Sequence, residues 1–232
     1  MVEILGLPVR KLRQADTVRL IPYSYAQAPA LRPLAASPEA LEEIARIEQL
    51  TNPRAQSGTL NPLAPTTRAA PATSVRNASY IHAAFAYRRP TGNRFNGPEI
   101  GAWYAGFTAD TALAEVTWHV TRALRAIGRY DQEKEYVGLL ADFDDTFPDC
   151  RRAAPRPAYL NSDPKVAYPA GQDLARALRA AGMPGLIYPS ARHIGGTCIA
   201  AFRPDVVLNV RLGPRWNLAW NGRPEPVIRQ VA

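Results

Sequence analysis

The chain has 232 residues, of which 47% are hydrophobic and 21% are charged, the composition of a packed globular domain rather than of a disordered segment. A chain of this length fits one domain with one core. The formal charge is +8, and all but three of the 28 basic residues are arginine. This indicates an anionic partner: nucleic acid, a phosphorylated small molecule or an acidic protein surface. A GC-rich genome produces the same excess of arginine, so charge alone does not choose among these partners.

Cysteine, histidine and hydropathy exclude further classes of protein. Cys150 and Cys198 are the only cysteines and lie far apart in the sequence, which argues against a disulfide framework or a cysteine zinc site. His82, His119 and His193 lack the spacing of metal ligands, so we expect no metal. No stretch approaches the roughly 20 apolar residues that a membrane span requires. We therefore predict a cytoplasmic protein with no membrane partner.

The first third of the chain contains one strand, one helix and one long connection. Residues 17–22 predict a short strand that ends at a proline, with Arg19 as its only charged side chain. The apolar spacing after Ser37 predicts a helix that ends near Asn52. Residues 53–79 are rich in Pro, Ser, Thr and Ala and exceed the length of an ordinary connection. We expect a long loop there that acts as a lid or binds a partner.

A turn and a short strand follow in the middle of the sequence. Residues 91–97 (TGNRFNG) predict a turn in which the backbone approaches a ligand closely and Arg94 clamps a phosphate. Residues 102–105 predict a short buried strand that carries Tyr104.

A longer helix comes next, capped by Asp110 and ended by Gly128. Its predicted apolar seam consists of Leu113, Val116, Thr117, Val120, Leu124 and Ile127. At about 100° per residue, Glu115 projects from nearly the opposite side, with His119 and Arg122 near it. Glu115 is therefore free to face a cleft or solvent.

The last third is rich in strands. Residues 136–143 predict a strand, and residues 172–181 predict a short helix with Gly182 as its C-cap. Further strands are predicted at residues 185–188, 197–203, 206–212 and 216–220. The mixed order of elements predicts an α+β domain built around twisted, largely antiparallel β-sheets with flanking helices.

Short motifs for the common nucleotide folds are absent from the sequence. There is no GxxxxGK[ST] phosphate loop, and no GxGxxG opens a helix after a strand. Ser190, three residues before His193, suggests a serine hydrolase, but the GxSxG nucleophile elbow is missing. Taken singly, Arg94, Tyr104 and Glu115 have ordinary interpretations as a solvated loop cation, a core aromatic and a solvated helix face.

Taken together, these segments resemble the RES (Arg-Glu-Ser) family, the toxins of bacterial type II Xre–RES toxin–antitoxin pairs. The matching stretches are GNRFN at 92–96, GAWYA at 101–105, TALAEV at 111–116, GLIYPSAR at 185–192 and the pair Ala201-Phe202. Their order and spacing agree with the family pattern over about residues 17–212. We therefore predict a single RES-type domain over residues 1–232, with residues 213–232 as a C-terminal extension.

The resemblance implies an ADP-ribosyltransferase-like fold and an enzyme that consumes NAD+ as a substrate, not as a recycled cofactor. Cleavage of the nicotinamide–ribose bond is then followed by transfer of ADP-ribose to water or phosphate. The implied partner is an Xre-type helix-turn-helix antitoxin. Contact with nucleic acid would occur only through that antitoxin, and the toxin would form a homo-oligomer within the toxin–antitoxin complex.

The resemblance also assigns residues to roles. Arg19 and Arg94 match the family's arginines and would hold the pyrophosphate, while Tyr104 would pack on the nicotinamide or its ribose. Glu115 matches the family's glutamate and would stabilise the oxocarbenium-like ribose. Ser190 matches its serine and would hydrogen-bond the ribose or brace the glutamate. The catalytic set is thus Glu115, Ser190 and Arg94, and the NAD+-binding set is Arg19, Arg94, Tyr104 and Ser190.

One departure and two alternatives remain at this point. Some family members have tyrosine directly after the first arginine, where this chain has Leu20, so the aromatic residue that stacks on nicotinamide stays open. A protein ADP-ribosyltransferase would use the same pocket on one specific target. An arginine-rich nucleic-acid-binding module would explain the charge, although no recognition helix or stacked-aromatic motif accompanies the dispersed arginines.

Overall fold

Eight β-strands and three α-helices make up the part of the chain that the computed structural model describes, residues 3–26, 77–87 and 89–231. The helices are α1 (Ala78–Ala86), α2 (Ala109–Ile127) and α3 (Pro164–Ala180). The strands are β1 (Glu3–Ile4), β2 (Leu7–Pro22), β3 (Trp103–Gly106), β4 (Asp131–Pro148), β5 (Gly185–Pro189), β6 (Thr197–Ala201), β7 (Leu208–Asn221) and β8 (Val227–Val231). The helix predicted after Ser37 lies outside the described residues.

The strands form one antiparallel sheet. Seven of them follow the order β5-β6-β3-β2-β4-β7-β8, and β1 pairs with β2 as a short hairpin. Each neighbouring pair of strands in this order is antiparallel, and an isolated parallel bridge joins Asp149 to Ile187. The predicted α+β class with largely antiparallel strands is therefore confirmed.

The two central strands are longer than predicted. The predicted strand at residues 17–22 is the second half of β2, and the strand predicted at 136–143 is the middle of β4. The pairing of β2 with β4 shifts between Gln14 and Thr17, where Asp16 has a φ of 56°. A bulge of this kind raises the local twist of an antiparallel pair. The first half of β2 is half-buried or exposed over most of its length, and it was not predicted.

Strand β7 joins two strands that were predicted separately. Residues 206–212 and 216–220 appeared as two strands because Gly213 and Pro214 separate them. The structure places these two residues in a register shift, since Val137 pairs with Arg215 and Leu139 pairs with Leu212. A proline in a bulge loses no ladder hydrogen bond, so the strand continues. Strand β8, which pairs with the far half of β7, was not predicted.

Helix α2 ends as predicted but begins with a different cap. Thr108 is the N-cap, and its side chain accepts the Thr111 backbone N–H at 3.2 Å, so the prediction of Asp110 was wrong. Asp110 lies in the first turn, where a carboxylate favours the helix dipole. Gly128 closes the helix with a left-handed φ of 68°. Ile127, predicted for the buried seam, is 66% exposed.

Helix α3 begins eight residues earlier than predicted. Asp163 caps it by accepting the Lys165 backbone N–H at 2.9 Å, and Pro169 lies within the helix. Pro169 and Gly171 lie in the first part of the helix, which was not predicted. A tertiary contact explains the glycine, because a Cβ at Gly171 would lie 2.1 Å from the backbone oxygen of Arg94.

The helices pack on the sheet through separate buried clusters. Helix α2 covers a cluster that includes Val18, Trp216, Leu218 and Trp220. Helix α3 covers a second cluster through Leu178. Residues 213–221, predicted as part of a C-terminal extension, thus belong to the main sheet and its core. Residues 53–76 of the predicted long loop lie outside the described residues, and α1 begins at Ala78. Over the described ranges, no helix is both long enough and apolar enough to cross a membrane.

Candidate active site

A cleft of about 290 Å³ opens where β2, β3, α2 and α3 meet the turn at residues 91–97. The charged, polar and aromatic side chains on its wall are Arg19, Tyr87, Arg89, Asn93, Arg94, Tyr104, Glu115, His119, Tyr168, Tyr188, Arg192 and Cys198. Among the described residues of this wall, Glu115 supplies the only carboxylate. The cleft is therefore a cationic, aromatic-lined cavity with a single acid.

Glu115 is held in place by the loop that follows β5. The Ser190 hydroxyl donates to Glu115 Oε1 at 2.6 Å, and the Ala191 backbone N–H donates to the same oxygen at 3.2 Å. The Ser190 hydroxyl oxygen in turn accepts the backbone N–H groups of Arg192 at 3.1 Å and His193 at 3.0 Å. Ser190 lies behind Glu115, 9% exposed, and braces it.

These contacts do not assemble a serine hydrolase. The His193 ring contacts Thr111, with 2.9 Å between Nδ1 and the threonine hydroxyl oxygen. Only the backbone N–H of His193 contacts the Ser190 hydroxyl oxygen. The hydroxyl donates its hydrogen bond to Glu115 and not to the His193 ring, so the histidine base of a Ser-His pair is not in position.

Arg19 brings a positive charge into the cleft from β2. Its guanidinium lies 5.1 Å from the centre of the Trp103 ring, and Nη1 donates to the backbone oxygen of Tyr104 at 3.3 Å. Burial lowers the pKa of Arg19 to about 10, which leaves the group charged at neutral pH. None of the ion pairs within the described residues involves Arg19, so its charge is available to an anionic ligand.

Arg94 is partly committed to the protein itself. Its Nη1 donates to the backbone oxygens of Tyr159 and Asn161, both at 2.8 Å. The close approach of Gly171 to the Arg94 carbonyl fixes the backbone of the same turn against α3. Arg94 therefore reaches the cleft from a rigid position.

Tyr104 lines the cleft with its ring and uses its hydroxyl elsewhere. The hydroxyl donates to Asn96 Oδ1 at 2.8 Å and accepts the Phe95 backbone N–H at 2.9 Å. Burial raises the pKa of Tyr104 above its ordinary value. The hydroxyl holds the turn at residues 91–97, and the ring is the part that faces a ligand.

The structure brings the predicted residues together and adds others. Arg19, Arg94, Tyr104 and Glu115 all line one cleft, and Ser190 supports it from behind. The additional wall residues include His119, Tyr168, Tyr188 and Arg192. Tyr188 and Arg192 lie inside the GLIYPSAR stretch. Tyr168 carried no signal, because its part of α3 was not predicted.

His119 lies one helical turn beyond Glu115 and is surrounded by cations. Burial, followed by the charges of Arg89, Arg192, Arg122 and Arg94, lowers its pKa to about 4. The imidazole is therefore neutral at physiological pH. It can donate or accept a hydrogen bond, and it contributes no charge of its own.

Trp118 lies between two arginines beside the cleft. The Arg192 guanidinium is 3.3 Å from the centre of its ring, and that of Arg122 is 5.4 Å away. Arg192 also donates from Nη2 to the backbone oxygen of Ser162 at 2.6 Å. Burial lowers the pKa of Arg192, and the charge of Glu115 opposes that shift. The ring and the carbonyl hold Arg192 at the rim, close to the acid.

In residues 3–26, 77–87 and 89–231, no three His, Cys, Asp or Glu side chains come close enough together to hold a metal ion. The groups that the cleft offers are arginines, aromatic rings, a neutral imidazole and one carboxylate, which suit an organic anion.

An antiparallel α+β fold that carries an arginine-lined cleft with one braced glutamate defines the class of protein. The RES domain family matches residues 69–221, which is more than half of the chain. The chain therefore belongs to the RES domain family, and the family predicted from the sequence motifs is confirmed.

Comparison with individual proteins adds a distant structural likeness. Three chains of solved structures match, and among them is the M. tuberculosis MbcT-MbcA toxin-antitoxin complex. That match has 16% sequence identity and a TM-score of 0.39, and it covers 56% of this chain and 74% of the other. No curated protein matches the chain.

Proposed function

We propose that this protein is an NAD+-consuming enzyme that cleaves the nicotinamide–ribose bond, and that it is the toxin of a toxin–antitoxin pair. The observation that carries the proposal is the fixed position of Glu115. Its Oε1 is held by Ser190 and by the Ala191 backbone N–H, at the wall of a cleft with no other described carboxylate.

The chemistry needs one carboxylate and no general acid. When the bond between ribose C1′ and the pyridinium nitrogen breaks, the electron pair stays on nitrogen and nicotinamide leaves as a neutral ring. Positive charge develops on the ribose, as in glycoside hydrolysis, where a carboxylate stabilises an oxocarbenium-like transition state. The fixed negative charge of Glu115 serves that purpose because its position needs no reorganisation during the reaction. Water then adds to C1′ and releases one proton, or phosphate adds instead.

The arginines of the cleft would bind the pyrophosphate of the substrate. NAD+ carries two phosphate charges, and arginine is the side chain best suited to bind phosphate oxygens in pairs. Arg19, Arg94 and Arg192 line the same cleft as Glu115. Arginines that hold the pyrophosphate there would fix the scissile bond in position beside Glu115. Such orientation of the reacting groups accounts for a large part of enzymatic rate enhancement.

Aromatic side chains supply a surface for the nicotinamide ring. Tyr104, Tyr168 and Tyr188 line the cleft. Tyr188 is itself packed edge-on against Phe95, with 4.8 Å between ring centres. A flat cationic ring is favoured against such faces, and this attraction is lost when the neutral nicotinamide forms.

The test follows free nicotinamide after purified protein is mixed with NAD+. We expect release by the wild type and a loss of about 10³-fold in Glu115→Gln, which keeps the shape of the side chain but removes its charge. The matched control is Glu225→Gln, an exposed glutamate outside the cleft, which should retain the wild-type rate. Equal rates for wild type and Glu115→Gln would remove Glu115 from the mechanism.

The fate of ADP-ribose is a separate readout of the same experiment. Free ADP-ribose, or ADP-ribose phosphate when phosphate is present, is expected from the purified protein alone. Labelled NAD+ in a cell lysate would instead produce one discrete labelled protein band if the enzyme were a protein ADP-ribosyltransferase.

The proposed partner is an Xre-type helix-turn-helix antitoxin. Membership of the RES family supports this proposal, and the charge of +8 is consistent with an acidic partner surface. We expect a small helix-turn-helix protein to be encoded beside this gene and to abolish nicotinamide release when the two proteins are purified together. Full activity of such a copurified complex would contradict inhibition by that partner.

A further inference from the structure

A second groove adjoins the cleft and shares part of its wall. It runs between α2 and the first turns of α3, with a cavity volume of about 620 Å³. Arg89, His119 and Tyr168 line both the cleft and this second groove. The cleft and the second groove therefore adjoin each other at these three side chains.

The second groove is positively charged and holds no acid. Its charged residues are Arg89, Arg122 and Lys165, and no carboxylate occurs among its described lining residues. Within the described ranges these three side chains form no ion pair, although Arg122 also lies 5.4 Å from the Trp118 ring. The nearest acid in sequence to α3 is Asp163, which lines a neighbouring depression together with Arg122 and Lys165 and accepts the Lys165 backbone N–H as the helix cap.

The position of Arg122 along α2 fixes its distance from Glu115. Glu115, His119 and Arg122 follow one another at helical spacing, and the rise from Glu115 to Arg122 is about 10 Å at 1.5 Å per residue. Lys165 faces Arg122 across the groove from α3. A pyrophosphate and a second ribose, extending from a scissile bond at Glu115, span a distance of this order.

We propose that the second groove binds a phosphate monoester, the 2′-phosphate on the adenosine ribose of NADP+, and that the enzyme therefore prefers NADP+ to NAD+. This inference rests on the proposed function. In Rossmann folds, sites for NAD+ place an acid against the ribose 2′-hydroxyl, which repels a 2′-phosphate, whereas sites for NADP+ accommodate that phosphate with an arginine; the same electrostatic reasoning applies to this groove. The second groove has the second arrangement, with two cations from different helices.

The first experiment measures binding, so that it does not depend on cleavage. Adenosine 2′,5′-bisphosphate and adenosine 5′-monophosphate are titrated into the full-length protein by calorimetry at 0.15 M salt. We expect the bisphosphate to bind at least about tenfold more tightly, the effect of one charge-assisted contact. Arg122→Ala and Lys165→Ala should each remove most of this preference. Arg125→Ala, on the same helix but outside the wall of the second groove, should leave it unchanged.

The second experiment compares nicotinamide release from NADP+ and NAD+ in buffer without phosphate. A higher kcat/KM for NADP+, lost in Arg122→Ala and Lys165→Ala, supports the inference. Equal binding of the two nucleotides overturns it even if NAD+ is cleaved. Preferential binding of the bisphosphate without any cleavage supports the binding site while contradicting the proposed function.

Free inorganic phosphate is the other ligand that the cations of the second groove would bind. If the second groove held phosphate as a reactant, added phosphate would accelerate NAD+ cleavage and Lys165→Ala would abolish the acceleration. That result, without any preference for the bisphosphate, would overturn the assignment to NADP+.

Discussion

The cleft and the second groove share part of a wall but differ in how firmly the protein holds their charged side chains. In the cleft, Glu115 is fixed by two hydrogen bonds, and Arg94 and Arg192 are tied to backbone carbonyls. In the second groove, Arg122 and Lys165 have no ion pair among the described residues. Fixed groups suit chemistry, because charge is already in place when the transition state forms. Unpaired cations suit the binding of an anion, because no internal partner competes with it.

Among the variants that test this comparison, Ser190→Ala has the largest expected effect, and it separates the positioning of Glu115 from the binding of substrate. Ser190→Ala removes the hydroxyl that donates to Glu115 and leaves two backbone N–H groups without their acceptor. We expect kcat for nicotinamide release to fall about 100-fold, or about 2.7 kcal/mol, with little change in KM. Ser162→Ala is the control, since only the backbone oxygen of Ser162 contacts Arg192. A rise in KM at constant kcat would place Ser190 in substrate binding instead.

The next effect concerns the contact between α3 and the turn at residues 91–97, which forms part of the cleft wall. Gly171→Ala would place a Cβ 2.1 Å from the Arg94 backbone oxygen, and that neighbour is backbone. We expect the free energy of unfolding to fall by about 2 kcal/mol, because the clash exceeds the gain in helix propensity. Ala177→Gly, on an exposed face of α3, measures the propensity alone. A Gly171→Ala protein more stable than wild type in urea denaturation would show that the turn and α3 do not approach this closely.

A smaller effect concerns the start of the helix that both cavities share. Thr108→Ala removes the side chain that caps α2, and we expect a loss of about 1 kcal/mol in the free energy of unfolding. Asp110→Ala, at the position predicted from the sequence as the cap, should lose less, because its carboxylate acts only through the helix dipole. Denaturant unfolding of both variants decides between the two caps, and the reverse order would favour Asp110.

The last prediction is a dependence of stability on pH. Burial and four arginines lower the pKa of His119 from 6.5 to about 4, so between these values the unfolded chain takes up a proton that the folded protein does not. The free energy of unfolding should therefore fall as the pH drops from 6.5 toward 4. His119→Gln should fall less steeply over the same range in thermal or urea unfolding. Identical slopes for the two proteins would contradict a neutral, buried His119.

The fold was predictable where its signals are local. Glycine, proline and apolar alternation were sufficient to predict β3, β5 and the length of α2 up to Gly128. They failed where a distant partner overrides a local signal. Residues 206–212 and 216–220 were predicted as two strands, yet pairing with β4 carries β7 through Gly213 and Pro214 between them. The first eight residues of α3 were not predicted, and they include Pro169 and the glycine that lies against the Arg94 carbonyl, Gly171.

The candidate site likewise has a part that the sequence predicts and a part that only the structure shows. The sequence by itself determined the family and four of the wall residues, because Arg19, Arg94, Tyr104 and Glu115 belong to motifs whose order can be read along the chain. Only the tertiary structure decided that Ser190 lies behind Glu115, that His119 is neutral among four arginines, and that Arg122 and Lys165 face a common groove. These relations join residues distant in sequence, and contact, burial and charge act through space.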